Sequence, residues 1–363
     1  MIRYRAHRPQ SLRWGGMKER FGQNVRYGLW VADMDIEVCP HILEALQQRI
    51  SHPVFGYDLE PKGLKEAILS WHQRRYGVSL DPEWIVYLPS VLPGVALGIE
   101  GYQSVAIQPP VYPPFFQIPK DLDIEVVTNP LRNNMMDLSH LRSLDFDALI
   151  LCSPHNPVGR VWSVHELGKL SSVVGDRVIV SDEIHCDLAY MPHTPLHTIH
   201  PRTISLYAAS KSFNIAGLGF AYGVIQDDTI RQKFVRKLKA MHLQPSPLGM
   251  LATMIAYERC QEWLEEVKRA LWHNMELVRA KLHPAVTFLM PEGGYLMWLD
   301  FGGFGLSHKE LKRLLYEKAG VALSDGLAFG SAGYGHFRLN VATDPVLLEE
   351  AIEKINEAIK EVL

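Results

Sequence analysis

Cysteine is scarce in this chain: four among 363 residues, at positions 39, 152, 186 and 260, far apart and with no C-x-x-C pair. They read as reduced side chains in or near the core of a cytoplasmic protein. An excess of charge of either sign is also missing. The formal net charge of −3 gives no reason to expect a nucleic-acid or membrane partner. No apolar run approaches the length that spans a bilayer. The N-terminal stretch Met1 to Pro9 is basic with no apolar run behind it, so it does not read as a secretory signal. No internal repeat, low-complexity tract or disordered linker is visible. What the chain does have is 47% hydrophobic residues against 21% charged, enough for a sizeable core. By size it makes two domains, or one large α/β unit with an appendage.

Histidine is plentiful, with sixteen residues, and the group His193, His197 and His200 invites a metal reading. Proline within the group argues against a helix that would align ligands, and no cysteine or carboxylate joins it. No metal is assigned there, and a surface loop is expected.

Short, continuously apolar runs recur along the middle of the chain: Trp84–Leu88, Ser104–Ile107, Ile124–Val127, Ala148–Cys152, Val178–Val180, Thr203–Tyr207 and Ala221–Ile225. Strands apolar on both faces and separated by helical or loop segments predict a mainly parallel sheet with helices on both faces, a three-layer α/β fold. Helical periodicity marks His41–Ile50, Gly63–Tyr76, Ile230–Met241, Leu248–Cys260 and Trp263 to about Leu282. Beyond these, Val286–Met290, Tyr295–Asp300 and Phe337–Val341 read as strands around a helix Lys309–Lys318, a smaller α+β domain. Residues 1–39 read as irregular. Asp33 and Asp35 flank Met34 in a turn, where local capping and a place at a ligand entrance stand as equal readings.

Polar residues interrupt the apolar runs at their carboxyl ends, where ligands bind in such sheets. Lys211 follows Thr203–Tyr207, Asp182 follows Arg177–Ser181, and Asn156 lies in Ser153-Pro-His-Asn-Pro157. A lysine at a strand end is usually just solvated. Here an amine, a carboxylate and an amide recur together. A carboxylate that ends a buried strand is costly unless paired. Pro89-Ser-Val-Leu-Pro93 opens a helical stretch, and backbone N–H groups at a helix start form an anion site. The set suits pyridoxal phosphate: an amine for its aldehyde, a carboxylate for its ring nitrogen, a donor for its phenolate oxygen and a cradle for its phosphate. Gly217 to Gly223 does not match the dinucleotide fingerprint, because its third glycine falls one residue late.

With these motifs the sequence resembles the fold-type I pyridoxal-phosphate enzymes, the aspartate aminotransferase superfamily of class I/II aminotransferases. Within it the likeness is to the cystathionine β-lyase, or C–S lyase, branch. It runs from Trp30-Val-Ala-Asp-Met-Asp35 to His336-Phe-Arg-Leu-Asn340. The resemblance implies that Lys211 holds the cofactor as a Schiff base and later moves protons. Ser90, Val91, Leu92 and Ser210 bind its phosphate, Tyr112 stacks on its ring, Asn156 and His185 lie at its phenolate oxygen, and Asp182 pairs with its ring nitrogen. Arg338 takes the substrate α-carboxylate, and the segment holding Trp30 lines the substrate entrance, while Gly293-Gly-Tyr295 approaches the same pocket. Tyr57 of Phe55-Gly-Tyr57 crosses to the neighbouring site of a homodimer. Two departures stand out: a short crossover after Leu92, and Ala208 where many members carry Ser or Thr.

The implied division is a large cofactor-binding domain, residues 40–274, and a small one from 1–39 and 275–363. The implied activity is β-elimination of a thiol from L-cystathionine or a related sulfur amino acid, leaving pyruvate and ammonia. The alternatives are an aminotransferase, which would use the same residues, and a pyridoxal-phosphate-binding regulator, for which no appended segment speaks.

Overall fold

The structure, a computed structural model, describes residues 2–362. Residues 1–39, expected to be irregular, contain a short helix α1 (Met17–Phe21) and a two-residue strand β1 (Tyr27–Gly28). Two helices follow, α2 (Pro40–Ile50) and α3 (Leu64–Tyr76), the second closed by Gly77 in the left-handed conformation. Strands and helices then alternate: β2 (Ile85–Leu88), α4 (Val91–Ile99), β3 (Ser104–Ile107), α5 (Pro114–Asp121), β4 (Glu125–Thr128), α6 (Leu138–Ser143), β5 (Ala148–Cys152), α7 (Val164–Val174) and β6 (Val178–Asp182). β7 (Thr203–Tyr207) and β8 (Ala221–Val224) complete the sheet, and α8 (Asp228–Ala240), α9 (Pro247–Arg259) and α10 (Gln261–Lys281) follow.

The seven-stranded sheet has the order β2-β8-β7-β6-β5-β3-β4; β8 alone runs antiparallel to its neighbours. Alternate side chains of each strand go to opposite faces, which is why the strands read as unbroken apolar runs. Val105, Ile107, Ile150, Val178 and Val180 join α4, α5 and α8 in one core. Ala106, Leu149, Leu151 and Ile179 join α6 and α7 in another. The short crossover fits because α4 sits very close to the sheet. A Cβ on Gly94 would lie 2.8 Å from a Leu206 methyl, and one on Gly98 2.8 Å from a Val180 methyl.

The C-terminal part contains β9 (Leu296–Asp300), α11 (His308–Arg313), β10 (Val321–Ala322), β11 (Ser324–Asp325), β12 (His336–Asn340) and α12 (Pro345–Lys360). Antiparallel β11-β12-β9 form one small sheet, and β10 pairs in parallel with β1. The expected strand Val286–Met290 is not formed. Proline at 284 and 291 brackets it, and a single bridge, Thr287 to Asp300, remains. The helix expected over Lys309–Lys318 starts at His308 behind a Ser307–Glu310 capping box, and Leu314–Lys318 widens into a π-helical turn.

Two expectations about side chains fail. Cys39 and Cys260 are not reduced but joined in a disulfide. Cys39 precedes α2 and Cys260 lies between α9 and α10; the packing of α2 on α9 brings together residues 221 apart in sequence, a proximity that spacing could not reveal. The histidines of 193–200 do not form a surface loop either. His197 and His200 are each 2% exposed. His200 is held by Ser171 Oγ and the Arg177 carbonyl, both at 2.9 Å, whereas His193 and His197 surround Glu183, which is fully buried beside Asp182 at the end of β6 and gathers polar partners. Its carboxylate accepts from Ser205 Oγ (2.7 Å) and Tyr207 Oη (2.9 Å) and lies 2.8 Å from His193 Nε2. Burial pushes that carboxyl up, but His193, His197 and Ser205 together outweigh burial and hold it below its ordinary value.

Candidate active site

Because β5, β6 and β7 run parallel and in register, their carboxyl ends fall side by side. Cys152 stands opposite Asp182, and Asp182 opposite Leu206. The turns that leave these ends carry Asn156, Asp182 and Lys211. Together with the loop after β3 and the start of α4 they enclose a cavity of about 190 Å³. Of the residues singled out from the sequence, Ser90, Val91, Leu92, Tyr112, Asn156, Asp182, His185, Ser210 and Lys211 all line it. Ala208 lines it too, a methyl where a hydroxyl was wanted.

Lys211 is half-buried, and its Nζ donates to the Ala32 carbonyl at 2.6 Å. Burial and the nearby Arg338 guanidinium lower its pKa, with Asp33 and Asp182 opposing them. Asp182 is 4% exposed, and its Oδ1 accepts from the Ile184 N–H at 3.1 Å. Burial lifts its pKa to about 6, against that hydrogen bond and the Lys211 charge. His185 is pushed down to about 3, first by burial and then by Lys211 and Arg338, so it is a neutral imidazole at working pH. Its Nδ1 is buried without a hydrogen-bond partner and faces Gly294, where a Cβ would stand 3.7 Å away.

Arg338 comes from β12, and its guanidinium is buried. It donates to Asn156 Oδ1 (2.9 Å), the Trp30 carbonyl (3.0 Å) and Ser324 Oγ (3.2 Å), while its Nε–H has no partner. Arginine is a donor only, so the Asn156 amide oxygen must face it and the amide N–H₂ is left for another acceptor. Burial lowers the Arg338 pKa to about 10, and it stays charged. Tyr112 follows Pro109-Pro110, and burial and Asp182 raise its phenol pKa. Gly293 packs against Pro154, completing the wall behind Asn156.

Three predicted residues do not line the cavity, and Arg338, one of them, adjoins it through Asn156. The Trp30 side chain does not line it: the indole donates to the Arg13 carbonyl at 3.0 Å and packs against Phe21 and Arg20. What Trp30 offers the site is its backbone carbonyl, on Arg338. Tyr57 is fully exposed, with Val54, Phe55 and Leu59 exposed around it. Asp33 and Asp35 are not local caps. Asp35 accepts from Trp14 Nε1 and Thr343 Oγ1, both at 2.8 Å, and pairs at 3.3 Å with the buried Arg13. Asp33 Oδ1 is 3.6 Å from the same guanidinium. Sequence reasoning gave no site role to Arg13, Ala32, Cys152 or Asn214.

The described residues contain no group of ligands suited to a metal ion, and no helix long and apolar enough to cross a membrane. The family model for class I and II aminotransferases matches residues 27–355. The chain is 33% identical to the cystathionine beta-lyase PatB of Bacillus subtilis (strain 168), over 96% of this chain and 97% of that protein. Among solved structures it resembles cystalysin from Treponema denticola, which contains a pyridoxal 5′-phosphate cofactor, with a TM-score of 0.93 and 30% identity over 100% of both chains. A PLP-bound C–S lyase from Staphylococcus hominis superposes with a TM-score of 0.89 at 28% identity, covering 97% of this chain and 96% of that one.

Proposed function

The chain belongs to the class I and II aminotransferase family, and on that footing we propose that it is a pyridoxal-phosphate-dependent carbon–sulfur β-lyase acting on L-cystathionine or a related sulfur amino acid. The observation that carries the reading is the meeting of an amine, a buried carboxylate, an amide and a helix start around one cavity. The residues present fit the cofactor. Asp182 is a buried carboxylate with no ion pair among the described residues, the state a pyridinium would relieve. The start of α4 has no side-chain cap, leaving the Val91 and Leu92 N–H groups for a phosphate. Asn156 keeps its amide hydrogens for a phenolate oxygen, and Tyr112 supplies an aromatic face.

When bound, pyridoxal phosphate supplies an aldehyde that condenses with amines and a ring that draws electrons from the bonds at the substrate Cα. Lys211 is the amine that would anchor it and that the substrate amine would displace. The freed Lys211 Nζ, already lowered in pKa by burial and Arg338, then takes the Cα proton. Asp182 would hold the proton on the ring nitrogen, and His185, kept neutral by burial, would serve the phenolate oxygen. Arg338 grips the α-carboxylate with a planar fork that lysine does not have. The thiolate leaves from Cβ, and Lys211 would return the proton to it. Overall, L-cystathionine and water give homocysteine, pyruvate and ammonia.

We assign residues 40–274 to the large cofactor-binding domain and 1–39 with 275–363 to the small one; the seven-stranded sheet lies within the first and both small sheets within the second. A homodimer is part of the proposal. Tyr57, exposed amid apolar neighbours, would reach the phosphate of a second copy. So is a cytoplasmic place of action, where cofactor and amino acids are both at hand.

The test is pyruvate release from L-cystathionine by the reconstituted protein with no keto acid present. Pyruvate far in excess of enzyme is expected. One stoichiometric conversion of the cofactor to its amine form, without pyruvate, would make the protein an aminotransferase instead.

A further inference from the structure

Residues 28–36 cross from the small sheets to the mouth of the cavity, and hydrogen bonds from three directions capture most of their carbonyl groups. Arg13 holds Gly28 and Asp33. Arg338 and Asn340, from β12, hold Trp30, Val31 and Asp33. On the third side stands the turn after β7. There Lys211 Nζ donates to the Ala32 carbonyl at 2.6 Å. Three residues on, Asn214 pairs with the same segment through its amide. Its Oδ1 accepts from the Met34 N–H at 3.1 Å, and its Nδ2 donates to the Met34 and Ile36 carbonyls at 3.0 and 2.7 Å. One asparagine side chain therefore does what a strand would do. Its backbone, at φ +57°, lies in the left-handed region, which asparagine tolerates better than most residues and which aims the amide back at the segment.

We propose that Asn214 is a positioning residue that fixes the Ala32 carbonyl as the seat of the Lys211 amine whenever that amine is free, an inference that rests on the lyase reading above. The chemistry follows from the inventory of a primary amine. It has two N–H donors and one lone pair. Donating one N–H to a fixed carbonyl orients the lone pair, which must face the substrate Cα to take a proton. Once that proton is taken, the ammonium keeps the same acceptor, so the seat serves both protonation states. Met34 lies two residues from Ala32, so the Asn214 clamp on one side and the Asn340 bonds to Val31 and Asp33 on the other together set the place of the carbonyl. The seat also lies two residues from the Trp30 carbonyl that Arg338 holds, so the group that grips the α-carboxylate and the group that positions the lysine share one short piece of backbone.

The test uses two variants of the full chain. Asn214→Gly keeps the positive φ at no steric cost and deletes the clamp. Asn214→Asp also tolerates that φ but turns an oxygen toward the Met34 and Ile36 carbonyls. In cofactor-free protein, trinitrobenzenesulfonate labelling mapped by peptide mass should modify Lys211 about tenfold faster in either variant than in wild type, with other lysines unchanged. In reconstituted protein, exchange of the substrate Cα–H with deuterated water should slow about tenfold while KM moves less than about twofold. Unchanged Lys211 labelling overturns the proposal. So does a loss of exchange that only tracks a lower Tm and a raised KM, and so does failure of both variants to fold. A wild type that takes up no pyridoxal phosphate sinks the lyase reading instead, and the labelling result still decides the seat.

Discussion

Asp182 shows how a functional side chain is carried at the expense of stability. Its pKa is lifted by burial to about 6, from an ordinary 3.8. A raised carboxyl pKa means that the native state is at no disadvantage below about pH 4, and that stability is lost as pH rises through 6. Cofactor-free Asp182→Asn protein should therefore be more stable than wild type at pH 7 by roughly 2 kcal/mol and equal to it near pH 4, by thermal denaturation at both pH values. The same variant should lose its hold on pyridoxal phosphate. Equal stability at both pH values would contradict the buried, unpaired carboxylate. At Arg338 the expectation concerns binding. Arg338→Lys should keep the lysine-bound chromophore and raise KM for the amino acid by about ten- to hundredfold, since an ammonium cannot fill the fork to Asn156 and the α-carboxylate. Lys211, Asp182 and Asn156 were legible in the sequence because each breaks an apolar run at a strand end, where a polar group needs a reason. Arg13 and Ala32 were not. Arg13 is a buried cation that donates to the carbonyls of Gly28, Asp33 and Ala342 and pairs with two aspartates, and Ala32 acts through its backbone. No local pattern announces either.

The inner strands of the large sheet, β3 and β5 to β8, could be read to within a residue or two because burial on both faces makes them largely apolar. Val286–Met290 has the same composition but no partner strand, and pairing is a property of two segments rather than one. The phosphate end depends on α4 lying close to β6 and β7. Gly98→Val should push the helix outward, because even a Cβ would meet Val180 at 2.8 Å. A cost of about 1–3 kcal/mol is expected, read as a lower Tm, with weaker cofactor retention in the same protein. A variant as stable as wild type would mean that the helix has room to spare. At the junction of α2, α9 and α10, denatured and unreduced protein should titrate two thiols, Cys152 and Cys186, and four after reduction. Four without reduction would restore the expectation drawn from cysteine spacing.

The assembled protein is expected to be a dimer whose sites are shared. Phe55 and Leu59 lie exposed beside Tyr57, more apolar surface than an isolated loop needs. Lys211→Ala and Tyr57→Ala chains, each with little activity, should complement one another when mixed and refolded. The hybrid contains one site with both residues intact. Activity no greater than the sum of the two would place Tyr57 outside its neighbour's site. The likeness of relatives over nearly their whole length fits a chain whose parts meet at one cavity, since segments from Ala32 to Phe220 line it and Arg338 and Asn340 of β12 hold residues beside it. The central claim is that this cavity is built around Lys211 as the anchor of pyridoxal phosphate. The most direct measurement is borohydride reduction of the reconstituted protein followed by peptide mass mapping. A single reduced pyridoxyl phosphate adduct on Lys211, absent when excess amino-acid substrate is added first, is the result expected. An adduct on another lysine, or none, would contradict the account.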